Sequence, residues 1–187
     1  MRQLLFKLGI TLLVVGSIAA VALGGTYVIT KKRIEKEDKA AAAKASIAAI
    51  PGLKSSSDLK EDPKLLAIAK KKVPEVTKVF STPKGDIIVI DSKGYGGTIE
   101  NAIGIGPDGK VIAVSNVSNR ETAGLGSKTL QPDFLDKFKG KTVIDKLQVG
   151  QDIQAVTGAT ISSRAVTGQV KNALEAFKAI SSGGGSQ

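Results

Sequence analysis

A chain of 187 residues, 42% of them apolar, is long enough for one modest folded domain plus a short appendage, and its composition argues against disorder. The lack of cysteine excludes disulfides, iron–sulfur clusters and thiol chemistry, and the lack of histidine removes the commonest general base and transition-metal ligand, so any redox chemistry needs an added organic cofactor. The net charge is +10, but eight Lys/Arg against three acids fall in residues 1–44 and only five aromatics follow residue 30, a distribution that suits anionic lipid headgroups rather than nucleic acid.

Between Lys7 and Lys31 the stretch LGITLLVVGSIAAVALGGTYVIT carries no charge over 23 residues. As a helix it reaches about 34 Å, enough for a hydrocarbon core of roughly 30 Å. Tyr27 suits the interface at one end. Arg2, Lys7 and the small-x-small run Ala20-Val21-Ala22 also fit a cleaved signal peptide, but the apolar run continues to Ile29, so residues 1–30 are expected to be a retained transmembrane anchor. Lys31, Lys32, Arg33, Lys36, Lys39 and Lys44 outweigh Arg2 and Lys7, which points the C-terminal side to the cytoplasm. Long domains are translocated despite such a bias, so sidedness stays open.

Residues 31–62 are expected to form a juxtamembrane helix, alanine-rich and ended by Pro51-Gly52, then a polar linker. Pro63 opens a short helix to Lys72, whose Lys70-Lys71-Lys72 run is a solvated end. Val76–Phe80 and Asp86–Asp91 flank a Pro83-Lys84-Gly85 turn, and Ile99–Ile105 and Lys110–Val117 flank Pro107-Asp108-Gly109, which predicts two hairpins. Residues 132–139 suit a short amphipathic helix. A final helix over Arg164–Ile180 places Val166, Val170, Leu174 and Phe177 on one face. The domain is expected over 63–181, with a mobile Gly/Ser-rich tail over 182–187. The fold class is α+β: a single N-terminal transmembrane helix, then one domain with a mainly antiparallel sheet and flanking helices.

Three places are rich in glycine or small residues. GIGPDG over 104–109 matches the G-x-G-x-x-G dinucleotide pattern, but a strand rather than a helix follows, so it is a hairpin turn. Gly94-Tyr95-Gly96-Gly97 is either a flexible loop or a backbone that approaches a planar ligand closely. Thr157-Gly158-Ala159-Thr160-Ile161-Ser162-Ser163 precedes the last helix. Ser162 or Ser163 suits a helix cap there, and the free amides at the helix start also suit a phosphate beside Thr160.

TGATISS at Thr157–Ser163 resembles the (S/T)GAT flavin-attachment motif of the FMN-binding domains in Rnf and Na⁺-pumping NADH:quinone oxidoreductase complexes. Glu121-Thr122-Ala123-Gly124-Leu125-Gly126-Ser127-Lys128 is similar to the family's ETPGLG loop, and Gly94–Gly97 resembles its YGG segment. With the single span, the layout resembles the G subunit of Rnf complexes best. The family pattern has His, Pro and Asp where this chain has Asn119, Ala123 and Gln154.

The resemblance implies FMN held covalently by a phosphoester to Thr160, attached by a separate FAD-dependent, Mg²⁺-requiring FMN transferase. It implies cofactor contacts from Tyr95, Gly96, Gly97, Glu121, Thr122, Gly124, Leu125, Gly126, Lys128, Thr157, Gly158, Ala159, Ile161 and Ser162, with Glu121, Thr122 and Lys128 at the isoalloxazine edge. No residue is expected to act as catalytic acid, base or nucleophile in turnover, and no metal site is expected. The implied role is electron transfer in an ion-translocating ferredoxin:NAD⁺ oxidoreductase, with the other Rnf-type subunits and membrane lipid as partners. The implied location is the cell (inner or plasma) membrane, with the domain on the extracytoplasmic face. Two alternatives stand beside it: the C subunit of the Na⁺-pumping NADH:quinone oxidoreductase, and a non-redox membrane-anchored binding or assembly module in which TGAT is only a helix cap.

Overall fold

The structure is a computed structural model that describes residues 2–50, 53 and 59–183. It divides into two units, Met1–Lys39 and Ala40–Gln187. The first consists of the greater part of α1 (Arg2–Ala49), whose segment Phe6–Tyr27 is long and apolar enough to cross a membrane, with a mean hydropathy of 2.2. The described side chains of that segment are exposed, including Leu12, Leu13, Ile18 and Leu23, as suits a helix that meets lipid rather than a protein core.

The second unit is built on one antiparallel sheet of five strands in sequence order: β1 (Lys60–Glu61), β2 (Val76–Thr82), β3 (Gly85–Lys93), β4 (Thr98–Ile105) and β5 (Val111–Asn119). Both expected hairpins form. At the first, Gly85 has φ +139°, and a Cβ there would run into the Ile105 carbonyl. At the second, Gly109 takes φ +76° and Asp108 accepts from the Lys110 amide, which makes GIGPDG a turn and not a dinucleotide loop.

The run Ile87-Ile88-Val89-Ile90 does not alternate with polar residues because both faces of the sheet are covered. On one face Val79, Ile88, Ile90, Ile99, Ile103 and Ile105 pack beneath α2 (Pro63–Lys72), α3 (Pro132–Leu135), the adjoining 3-10 turns and α4 (Thr160–Gly183). On the other, Ile87, Val89, Ala102 and Val117 meet Ala45, Ala49 and Ile50 from the end of α1. Gly104 permits that approach, since a Cβ there would strike the Ala49 carbonyl.

The folded unit thus reaches further back than the expected 63–181. The last turns of α1 join its core, and Lys60–Glu61, expected in the linker, pair with Phe80 and Ser81. Pro51-Gly52 and residues 54–58 of that linker lie outside the described residues. The final helix is longer than expected at both ends. Ser182 is helical and donates to the Lys178 carbonyl, and residues 184–187 of the expected tail lie outside the described residues. At its start α4 begins at Thr160, so neither Ser162 nor Ser163 caps it. Both lie in its first turn, fully buried, with their hydroxyls turned to partners in the protein.

The middle of α4 is fastened to the sheet by one polar side chain. Gln169 Nε2 donates to the Ile90 and Ile99 carbonyls at 3.0 and 2.8 Å, while its Oε1 accepts from Asn101 Nδ2 at 2.7 Å. Asn101 Oδ1 in turn accepts from Asn116 Nδ2 at 2.9 Å. Sheet register is irregular beside these residues, between Glu100 and Asn101, and the amide groups satisfy polar atoms that the ladder leaves over. These bonds tie the middle of α4 to β3 and β4.

Candidate functional site

The segment before α4 makes a tight turn. Gly158 takes φ +77°, the Ala159 amide donates to the Val156 carbonyl at 3.0 Å, and the Ser163 amide donates to the Ala159 carbonyl at 2.8 Å. The Val156 amide donates to Ser163 Oγ at 3.0 Å, which closes the turn from the other side. The amides of Thr160, Ile161 and Ser162 donate to no protein acceptor among the described residues, so three N–H groups face outward at the positive end of a 24-residue helix.

These groups open on a cavity of about 290 Å³ lined by Tyr95, Leu125, Gly126, Gly158, Ala159, Thr160, Ile161 and Ser162. That volume stands at the lower edge of small-molecule sites, which run from roughly 300 to 1,000 Å³. Tyr95, Leu125 and Ile161 are large apolar or aromatic side chains left 75%, 51% and 53% exposed. Their clustering around free amides and an exposed hydroxyl suits a flat aromatic ligand with an anionic end.

Four hydroxyls occur in TGATISS, and they are not equivalent. Ser162 Oγ donates to Glu121 Oε2 at 2.9 Å, and Ser163 Oγ is the acceptor for Val156. Both serines are inaccessible. Thr157 is exposed but does not line the cavity. Thr160 alone of the four is both exposed and part of the wall.

Glu121 does not reach into the cavity as an edge contact would. Its Oε1 accepts from the Gly96 amide at 3.2 Å while its Oε2 takes the Ser162 hydroxyl, so the carboxylate lies between the Gly94–Gly97 loop and α4. Gly94 and Gly126 make room for it, since a Cβ at either would meet the carboxylate. Gly97 lies against Arg120 and accepts from the Gly94 amide at 2.8 Å. Thr122 and Gly124 shape the turn that presents Leu125. The Thr122 carbonyl accepts from the Leu125 amide, and Gly124, at φ +80°, donates to Ser127 Oγ.

Lys128 is not brought to Thr160. It lines a separate groove with Gln131, Asp133, Phe134, Lys137 and Val156, where Lys137 Nζ stands 5.3 Å from the Phe134 ring centre. No charged side chain lines the Thr160 cavity among the described residues, so an anion there is met by backbone amides and the helix dipole. Asp152, near the position where the family pattern has an acid, faces away. It accepts from the Gln148 and Leu147 amides at 2.7 and 3.0 Å, and these contacts with nearby Lys141 hold its carboxyl below the usual carboxylate range.

Two elements of this arrangement escape sequence reading. Ser163 resembles any helix-cap serine, and its contact to Val156 exists only once the turn folds. Gln169 leaves a faint signal, a polar residue beside Val166 and Val170 on the apolar stripe, but its partners on β3 and β4 are 68 or more positions away.

Residues 94–175 match the family model described as an FMN-binding domain, a span that contains the three motif segments and the whole cavity wall. The G subunit of the proton-translocating ferredoxin:NAD(+) oxidoreductase complex of Clostridium ljungdahlii is 44% identical over 102 residues, which cover 52% of this chain and 55% of that one. The G subunit of the Na(+)-translocating ferredoxin:NAD(+) oxidoreductase complex of Acetobacterium woodii is 29% identical across 96% of this chain and 94% of its own length. The chain thus spans about half the length of several G-subunit relatives it matches, and nearly all of the Acetobacterium protein. Among solved structures, the C subunit of the Na(+)-translocating NADH-quinone reductase of Parabacteroides distasonis superposes with a TM-score of 0.53 at 17% identity, covering 80% of this chain and 96% of that one. At that identity the likeness is one of fold.

Proposed function

We propose that this chain, whose residues 94–175 match an FMN-binding domain, is the membrane-anchored, covalent-flavin electron carrier of an Rnf-type ferredoxin:NAD⁺ oxidoreductase that couples electron transfer to ion translocation. The observation that carries this reading is the inequality of the four hydroxyls: Thr160 is exposed at a cavity wall, beside three free amides, while Ser162 and Ser163 are buried and bonded.

FMN supplies reversible one- and two-electron transfer, chemistry that no side chain of this composition provides. The chain's own residues bind and orient. Thr160 would carry the group as a phosphoester: its hydroxyl oxygen would bond to the FMN phosphorus of FAD as the pyrophosphate P–O bond breaks, with AMP leaving and the hydroxyl proton passing to the FMN transferase. A threonine hydroxyl needs that outside activation, because no base or cation of this chain lines the cavity among its described residues. The amides of Thr160, Ile161 and Ser162 would hold the phosphate. Tyr95, Leu125 and Ile161 would supply apolar contact for the ring.

Relatives that are G subunits of ferredoxin:NAD(+) oxidoreductases, at 29% and 44% identity, favour the Rnf-type complex over the NADH-quinone reductase, for which only the fold speaks. The other Rnf-type subunits, the transferase and membrane lipid are the proposed partners. The proposed location is the cell membrane with the domain extracytoplasmic, against the Lys/Arg count, and a C-terminal reporter scored for external accessibility tests that side.

Coexpression of the full chain with the transferase, followed by intact-mass measurement, tests the central claim. A gain of one FMN minus water in the wild type, absent in Thr160→Ala, supports it. An unmodified wild type, with no fluorescent band on a denaturing gel, overturns it in favour of a non-redox binding or assembly module.

A further inference from the structure

We propose that Glu121 is a positioning residue, a brace that presents Thr160 for modification, and not a contact to the flavin ring. The inference rests on the esterified-threonine reading above. Three segments distant in sequence meet on one carboxylate: the Gly96 amide on Oε1, the Ser162 hydroxyl on Oε2, and the bare Cα atoms of Gly94 and Gly126 against its flanks. Tyr95, Gly126 and Ser162 each line the cavity, so the carboxylate joins the walls from behind.

Two consequences follow from the chemistry of these bonds. A carboxylate accepts, so the Ser162 hydroxyl commits its single proton to Glu121, and the bond holds that serine in its fully buried place. Ser162 is also the third residue of α4, one after Ile161 and two after Thr160, so fixing its side chain fixes the rotation of the first helical turn. The Thr160 hydroxyl and the free amides keep their aim as a set, and Tyr95 is held opposite them through the Gly96 bond. Group transfer to a hydroxyl depends steeply on such aim. The two glycines belong to the device, because a methyl group at either position displaces the carboxylate without removing the acid.

The test measures the initial rate of FMN transfer from FAD to the purified full chain in detergent, with transferase and Mg²⁺, by intact mass, and checks each variant's thermal melt by circular dichroism. Glu121→Gln keeps both bonds, since its oxygen accepts from Gly96 and its amide donates to Ser162 Oγ, and the expected rate stays within about twofold of wild type. Glu121→Ala and Gly126→Ala are expected to slow transfer about tenfold or more while still melting as folded proteins. Wild-type rates in folded Glu121→Ala or Gly126→Ala overturn the brace. So does a Glu121→Gln protein as slow as the alanine variant, which would mean that the charge matters and the bridge does not. If Glu121→Ala fails to fold, Gly126→Ala and Glu121→Gln decide between them. An unmodified wild type strikes the esterified-threonine reading itself, whereas a modified wild type with an equally modified Glu121→Ala strikes this inference alone.

Discussion

The first turn of α4 and its middle are two stretches of one helix that treat polar groups in opposite ways. Around Gln169 every donor and acceptor of the side chain is matched inside the protein, and Gln169 and Asn101 are almost wholly shielded from water. Around Thr160 three amides and a hydroxyl have no partner among the described residues, and Tyr95, Leu125 and Ile161 stand exposed beside them. The middle is complete without a ligand, and the first turn is not. Stability and function are therefore expected to separate along a single helix.

Two substitutions probe that separation. Thr160→Ala should abolish covalent flavin entirely yet leave denaturant stability within about 0.5 kcal/mol, as for an exposed residue with no intramolecular bond. Gln169→Leu should do the reverse. It strands the Ile90 and Ile99 carbonyls and the Asn101 amide, at a cost of roughly 3 kcal/mol if the losses are partly compensated, while the folded fraction still accepts flavin. A Gln169→Leu protein that folds as well as wild type but loses modification would break the comparison. The sheet's second face sharpens it: Gly104→Ala forces a methyl against the Ala49 carbonyl and should destabilise by about 1–3 kcal/mol, read as a lowered melting temperature, with no change in which hydroxyl is modified.

The same division explains what the sequence discloses. The hairpins are legible because Pro83-Lys84-Gly85 and Pro107-Asp108-Gly109 carry turn chemistry within a few residues. The proposed attachment threonine is legible because TGAT is short and contiguous. By contrast, the helix start is misplaced by four residues from sequence, because serine at 162 and 163 mimics a cap when its hydroxyls in fact serve Glu121 and Val156. Ala45 and Ala49 look like a linker helix because their partners, Ile87 and Ala102, come much later in the chain. Lys128 shares a motif with Leu125 and Gly126, but the 3-10 turn Gly126–Leu130 carries it into a different groove. What sequence hides in each case is a partner supplied by tertiary structure.

The contrast between matched and unmatched polar groups also predicts two acid titrations of opposite sign, the smallest effects expected here. The Asp152 carboxyl is held low, first by the Gln148 amide, with the Leu147 amide and Lys141 adding to it against a small loss of hydration, and its bond to the Leu147 amide pins that residue at φ +47° in the strap leading to α4. A lowered folded value means that its contribution is full above the ordinary carboxyl value of 3.8 and is lost as pH falls through the folded value beneath it. Asp152→Asn should therefore melt slightly lower than wild type at pH 7, by no more than about 0.5 kcal/mol for so exposed a carboxylate, and the deficit should shrink in acid. Asp91 runs the other way. Burial, then the facing Glu100, push its carboxyl up against the pull of Lys78, and its Oδ1 is buried without a hydrogen bond. A raised folded value gives stability that is full below the ordinary carboxyl value and declines as pH rises through the folded one. Asp91→Asn should thus melt higher than wild type at pH 7 and converge with it in acid. Should both variants shift in the same direction with pH, the assignment of a satisfied carboxylate near α4 and an unsatisfied one on the sheet would fail.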